Sequence, residues 1–227
     1  MDILVPIIIV GVVALGIAGV IAHYVYERRR REAFQVLAKR LGMRYSPHKN
    51  YALADRYAFL DRLRQGDKRY AYNILEGDYG GHPVQVFDYH YQTYSRNSKG
   101  HRQTHHHYLS VFVLLHDAFF PELHIYPENF FTRMGQSLGF SSLSISFESN
   151  EFSRSFVVRC DDKRFAYDIC HTRMMELLLQ DRKLSLEIEG NCVAIDFERR
   201  LKPHEIEPRL QQLIAIRNQF PEYLYRR

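Results

Sequence analysis

Cysteine is too scarce to staple this chain. It occurs three times, as Cys160, Cys170 and Cys192, with no C-x-x-C spacing, so a disulfide framework is excluded. Tryptophan is absent, which leaves the aromatic bulk to 16 Tyr and 15 Phe. These interleave with apolar residues rather than with a basic groove, and read as core material rather than as a stacking platform for single-stranded nucleic acid. With 12 Gly and 8 Pro the chain is no low-complexity polymer. No Asn-x-Ser/Thr sequon occurs. A hydrophobic fraction of 46% and a charged fraction of 25% over 227 residues exclude a wholly disordered or multi-span protein, and suit one domain with an appendage.

Charge is missing altogether from Ile3 to Ala22, ILVPIIIVGVVALGIAGVIA. At about 1.5 Å per residue, a helix of that length matches the roughly 30 Å hydrocarbon core of a bilayer. Asp2 can cap it, and Pro6 falls in the first turns, where a missing N–H does least harm. A cleaved signal peptide would want a basic start and a small-x-small cleavage site, and Val20-Ile21-Ala22 is a poor one. The segment therefore reads as a membrane anchor. Its flanks set its direction. No Lys or Arg precedes it, whereas Arg28, Arg29, Arg30 and Arg31 follow it, so the positive-inside rule places the N-terminus outside and the C-terminal bulk in the cytoplasm of a single-pass protein of the inner or plasma membrane. Ala14, Ala18 and Ala22 form a stripe of small residues through which two such helices can pack.

The net charge of +5 is unevenly spread: residues 28–69 carry +9 and residues 70–227 carry −2. A polybasic segment leaving a membrane is drawn to anionic headgroups, with Arg28 to Arg31 as the expected contacts. Nucleic acid is the rival partner for a basic patch, but no helix-turn-helix, zinc-finger or RNP pattern accompanies this one.

Three segments follow from these patterns: an anchor at 1–26, a basic helical juxtamembrane stretch at 27–69, and a domain at 70–227. Phe34, Leu37 and Leu41 recur at helical spacing, with Gly42 as the terminating residue. A second helix is expected over 51–64, with Leu53, Tyr57, Leu60 and Leu63 inward. From Tyr70 the period changes to two, and DYGGHP at 78–83 turns a hairpin. Tyr108 to Leu115 reads as a central strand, and 123–126 as a short further one. A helix is expected at 128–138 and strands near 143–147, 152–159 and 164–169. A helix with Met174 and Met175 comes next, then a hairpin of 184–188 and 193–197 about Glu189-Gly190-Asn191. A last helix opens at Pro203 and stops at Pro221. The strands come in hairpins rather than β-α-β units, so the class is α+β: a mostly antiparallel sheet with flanking helices behind a single transmembrane helix.

Four patterns resemble chemistry. His101 and the run His105 to His107, with His90 on the preceding strand, are candidate metal ligands, His90, His101, His105 and His107 foremost, since imidazole is the commonest neutral ligand for transition metals. Residues 92–103 around them are polar, and the cluster reads as a solvated loop entering a strand. Gly135 to Gly139 matches G-x-S-x-G, but what precedes it reads as helix rather than strand, the wrong context for a nucleophile elbow. Glu76, Asp78, Asp88, Tyr89 and His90 form an acidic–aromatic group in which Asp88 and Glu76 could face each other. Cys170 beside His171 ends an apolar stretch and reads as a buried small residue. None of the four points to an enzyme or a cofactor. The expected function is binding or scaffolding at the membrane, with lipids and a protein partner or a second copy of the helix as partners, and no nucleic acid. The alternative is a membrane-tethered enzyme or metal-binding protein that uses His90 to His107.

The stretch from Glu151 to Phe197, with Phe152, Phe156, Val158, Asp162, Ala166, Met174 and Met175 at the matching positions, resembles the end of the bacterial family known as domain of unknown function 3137. The turn followed by VQVFDYHY is similar in a looser way. The resemblance implies membrane association and carries over no catalytic residue.

Overall fold

A computed structural model describes residues 4–129 and 144–226. Its first element, α1, is one helix of 38 residues from Leu4 to Leu41. Its apolar part has a mean hydropathy of 2.4, is long enough to cross a bilayer, and, among the described residues from Ile8 on, is exposed throughout. Its last turns do pack. Glu27, Arg30, Phe34, Leu37, Ala38 and Leu41 recur every three or four residues and share the face turned to the domain. Phe34, Leu37 and Ala38 are buried there, at about 1.5–3 kcal/mol for each large side chain. Gly42 closes the helix with φ +68°. The polar stretch after residue 26 is thus the same helix carried onwards.

Six antiparallel strands form the sheet: β1 (Arg44–Ser46), β2 (Asp67–Tyr79), β3 (His82–Arg96), β4 (Arg102–Pro127), β5 (Phe156–Cys160) and β6 (Ser185–Phe197). Strand β4 is the spine. One edge pairs first with β3 and then with β5; the other pairs with β6. Helices α2 (Tyr51–Arg56), α3 (Asn150–Ser155), α4 (Lys163–Ile169), α5 (Thr172–Leu179) and α6 (Pro203–Asn218) flank it. Alternation along β4 splits the core. Phe112 and Leu114 face α1 and α3–α6, while Leu109, Val111 and Val113 face α2 and the segment after it.

The expected α+β class, apolar N-terminal helix and antiparallel sheet are all present, and Gly80-Gly81, with φ +62° and +81°, turns the β2–β3 hairpin. Several local expectations fail for identifiable reasons. The helix expected over 51–64 ends at Arg56. The Glu187 carboxylate accepts the backbone N–H of Asp61 at 2.7 Å and of Arg62 at 3.2 Å, taking donors a continuing helix would use. Residues 184–197 are one strand, not a hairpin. Both halves pair with β4, and Gly190 (φ +59°) marks a bend opposite an irregular register in β4 between Leu115 and Leu123. That bend likewise joins the two expected strands 108–115 and 123–126 into one. Residues 150–155 and 163–169 are helical because Ser149 and Asp162 cap them: Ser149 Oγ accepts from Phe152 N and Asp162 Oδ1 from Phe165 N. Cys170, buried, thus ends a helix rather than a strand. Near 143–147 only Ile145 bridges, to Val158. The Asp2 cap, the G-x-S-x-G match and nearly all of the helix expected at 128–138 lie outside the described residues. Phe152, Phe156, Val158, Ala166 and Met174, five of the positions that carry the family resemblance, are buried and serve packing.

Candidate functional site

The face of the sheet turned to α1 carries an unusual row of rings. Register places Tyr70 beside His90 and His90 beside Tyr108 on β2, β3 and β4, with centroids 4.6 and 4.8 Å apart. Two positions along β2 and β3, Tyr72 pairs with Asp88. Asn73, with φ +49°, sits in an irregularity of β2 that turns its side chain to the same face as Tyr72.

Asp88 is the polar centre of this face. Arg30 Nη2 donates to Oδ1 at 2.9 Å and to Oδ2 at 2.8 Å, and its Nε reaches Oδ2 at 3.2 Å. Asn73 Nδ2 and Ser110 Oγ each donate at 2.9 Å. Arg30 Nη1 also donates to Leu201 O at 2.7 Å, and Leu201 N to Ser110 Oγ at 2.9 Å. One buried guanidinium therefore ties α1 to β3, β4 and the start of α6. The expected headgroup set of Arg28 to Arg31 must be corrected here: Arg30 is 4% exposed and locked to Asp88, while Arg28, Arg29 and Arg31 are exposed. Helical geometry explains the split, since Arg30 lies four residues before Phe34 on the docking stripe. The expected opposition of Asp88 and Glu76 fails as well; Glu76 pairs in register with Gln85 and lies near Arg44 at 3.3 Å.

Between α1 and the row of rings runs a groove of about 700 Å³. His23, Glu27 and Arg31 form one wall, Pro47 and Lys49 another, and Tyr70, Tyr72, His106, Tyr108 and Arg200 the floor and far end. Arg200 Nη2 donates to Glu27 Oε1 at 2.6 Å and Nη1 to Tyr72 OH at 3.1 Å. Burial disfavours the Glu27 carboxylate, but the Arg200 guanidinium prevails and holds its pKa below the usual range. Lys49 Nζ lies 4.3 Å over the Tyr70 ring. The groove reaches the free edge of β4, since β6 begins to pair only at Ser110.

The histidines are arranged differently from the expectation. Residues 92–96 and 102–107 are paired strand, not loop, joined by a turn in which Asn97 Oδ1 accepts from Lys99 N and His101 N. His105 and His107 share one face, bonded to Ser95 Oγ at 2.7 Å and Thr93 Oγ1 at 2.8 Å. His90 meets His106 instead, Nε2 to Nδ1 at 3.0 Å. The tautomers follow from the partners. His90 Nδ1 faces the Lys68 carbonyl at 3.3 Å, which only accepts, so that nitrogen carries the proton. His90 Nε2 then accepts from His106 Nδ1. Burial lowers the pKa of His90 and keeps it neutral. His101 is exposed at the turn. Among the described residues no three or more His, Cys, Asp or Glu side chains converge as a metal site.

A second polar cluster fastens the other face. Asp61, His124 and Glu187 are at most 4% exposed. His124 Nδ1 lies 2.8 Å from Tyr126 OH and 3.5 Å from Glu187, and its Nε2 lies 2.5 Å from Glu122. Burial pulls the His124 pKa down, but Glu187, Glu122 and Asp61 together raise it to about 9. Arg62 Nε sits 3.1 Å from Asp196, whose pKa burial raises. Buried except for Glu122 at its rim, this cluster holds residues 57–64 against β4 and β6.

Sequence reasoning did not single out Lys49, Arg200 or the three groove tyrosines, and it took His106 only as part of the histidine run. The alternation of Tyr70 with Tyr72 was the available signal, but it reads equally as core. In the fold Tyr108 is 44% exposed and Tyr70 and Tyr72 are half-buried, beside basic side chains after all.

No family model and no curated protein matches this chain. Among solved structures it is similar to the crystal structure of the mycobacterial trehalose monomycolate transport factor A, TtfA, with a TM-score of 0.57 and 14% identity over 85% of this chain and 95% of that one. At that identity the likeness is one of fold, and it extends over nearly the whole of both chains.

Proposed function

We propose that this chain is a single-pass membrane protein, N-terminus outside, whose α+β domain works at the cytoplasmic leaflet as a non-enzymatic binding or scaffolding module. The observation that carries the reading is the continuity of α1. One helix runs from a bare apolar stretch into a docked stripe, and the Arg30–Asp88 pair fixes its angle to the sheet. A domain so attached cannot drift far from the lipid. Exposed Arg28, Arg29 and Arg31 face the headgroup layer, each worth about 1 kcal/mol near an anionic surface. Likeness in fold to a protein named as a transport factor supports an accessory role beside membrane transport. Membership of the domain of unknown function 3137 family, and pairing of two helices through Ala14, Ala18 and Ala22, belong to the same proposal.

The test is topological. The full chain stays in the membrane pellet after carbonate extraction, and protease added to intact spheroplasts leaves the domain whole. Digestion of the domain from outside overturns the orientation; release by carbonate overturns the anchor.

A further inference from the structure

We infer that the groove between α1 and the Tyr70–His90–Tyr108 row is a binding site for the phosphate-bearing headgroup of an anionic phospholipid. The inference rests on the proposed anchor and names the ligand class that the anchored domain would take.

Position comes first. His23, at one end of the groove, is the first residue after the uncharged stretch that ends at Ala22, and Arg31 lies eight residues further along the same helix. At about 1.5 Å per residue, those eight residues rise about 12 Å. A leaflet's headgroup layer is about 5–8 Å thick, from the roughly 30 Å core and the 40–45 Å total. The His23 end of the groove thus lies within the headgroup layer, and Arg31 stands about 4–7 Å beyond it, from where its long side chain can reach back toward the phosphates.

Charge comes second. Arg200 is occupied by Glu27 and Tyr72. Arg31 and Lys49 both line the groove and are exposed, neither has an ion-pair partner among the described residues, and Lys49 rests only over the Tyr70 ring. Two such cations on one groove suit one phosphodiester, each as a charge-assisted donor.

The lining comes third. Tyrosines are amphipathic and settle where one end is apolar and the other wet. The exposed edges of Tyr70 and Tyr108 offer glycerol and the first acyl carbons a surface. A volume of about 700 Å³ accommodates a headgroup with its glycerol but not two full chains, which remain in the bilayer.

The experiment uses the full chain in detergent micelles, titrated with phosphatidylglycerol or phosphatidylcholine, with bound lipid counted by native mass spectrometry. The expected result is retention of phosphatidylglycerol over phosphatidylcholine. Arg31→Gln/Lys49→Gln weakens that retention about thirtyfold, from about 1 kcal/mol per cation. Lys163→Gln/Arg164→Gln, which removes two exposed charges of α4 that lie outside the groove and outside the Arg28–Arg31 stretch, leaves it unchanged, and Arg31→Lys/Lys49→Arg restores it. Equal loss in both glutamine pairs overturns the site in favour of a diffuse basic surface. Displacement of the lipid by millimolar inorganic phosphate assigns the site to a soluble phosphate and overturns the lipid source. Displacement by a micromolar RNA oligonucleotide overturns it too. Carbonate extraction reads the anchor alone and the micelle titration reads the groove alone, so either can fail without the other.

Discussion

Replacing Asp88 by alanine is the sharpest perturbation this fold offers. Its carboxylate takes three contacts from Arg30, one from Asn73 and one from Ser110, all at 2.8–3.2 Å, with both ion-pair partners nearly sealed from water. Alanine leaves a buried guanidinium without a counter-charge. Breaking a buried pair from one side costs about 3–5 kcal/mol. That is a large part of the 5–15 kcal/mol that holds a typical domain together. Arg30→Met/Asp88→Leu removes both charges and lets apolar side chains fill the space, but it leaves Asn73 Nδ2 and Ser110 Oγ without their acceptor. Its expected cost is therefore intermediate, about 2 kcal/mol. Urea unfolding of the full chain in micelles, followed by tyrosine emission, reads both. With a slope near 2 kcal/mol per molar, the alanine variant loses about 2 M of midpoint and the double variant about 1 M. An alanine variant within about 0.5 M of the parent would refute the claim that Arg30 depends on Asp88. A double variant as weak as the single one would show that geometry, not uncompensated charge, sets the loss.

Glu187→Ala strands the buried amides of Asp61 and Arg62. Stability should fall by about 2–4 kcal/mol, and hydrogen exchange should quicken at those two amides before it quickens in the sheet. His124 gives a pH signature. Its folded pKa of about 9 lies above the ordinary imidazole value of about 6.5, so its contribution is whole below pH 6.5 and is lost as pH rises through 9. The melting temperature should decline across that window, and His124→Gln should flatten the decline; an unchanged slope in the variant removes His124 as the cause. Gly66→Ala forces a Cβ into the Gln92 carbonyl oxygen at φ +61°, whereas the Cβ of Gly81→Ala has nothing within 4 Å at φ +81°. The first should cost about 3 kcal/mol or more and the second about 1 kcal/mol, read from paired urea midpoints.

What the sequence concealed is mostly long-range. The α1 stripe, the β2–β3 hairpin and α6 are legible because their periodicity and turn residues are local. The bend at Gly190 is not, because a glycine between two alternating runs marks a turn or a bulge equally well. Only the shared partner β4 decides between them. The early end of α2 is invisible for the same reason: the carboxylate that captures its amides stands on Glu187, more than a hundred residues away. The polar composition of residues 92–107 suggests a loop. Yet cross-strand bonds such as Thr93 to His107 and Ser95 to His105 let polar residues make a ladder. The groove was illegible because its parts come from α1, the segment after β1, β2, β4 and the residues after β6, and no two neighbours in sequence announce it.

The basic excess of residues 28–69 takes on a different meaning once partners are assigned. Arg40 pairs with Glu207, Arg44 with Glu76, and Arg62 with Asp196, so acids of the −2 remainder neutralise cations that lie away from the anchor. Arg30, nearest the centre of the docking stripe, is spent on Asp88. Arg29, Arg31 and Lys49 remain exposed without an ion pair among the described residues, as do Lys39, Arg56 and Lys68 elsewhere in the stretch, and Arg28 shares only the solvent-exposed Glu32 on its own helix. Neutralisation within the fold therefore thins the basic excess rather than removing it. Of the cations left unspent in residues 28–69, Arg29 and Arg31 are those on the part of α1 that directly follows its apolar stretch. An exposed charge acts over about one Debye length, roughly 8–10 Å at physiological salt. That reach makes the position of the free cations, rather than their number in the sequence, the quantity that decides how firmly the domain meets an anionic surface.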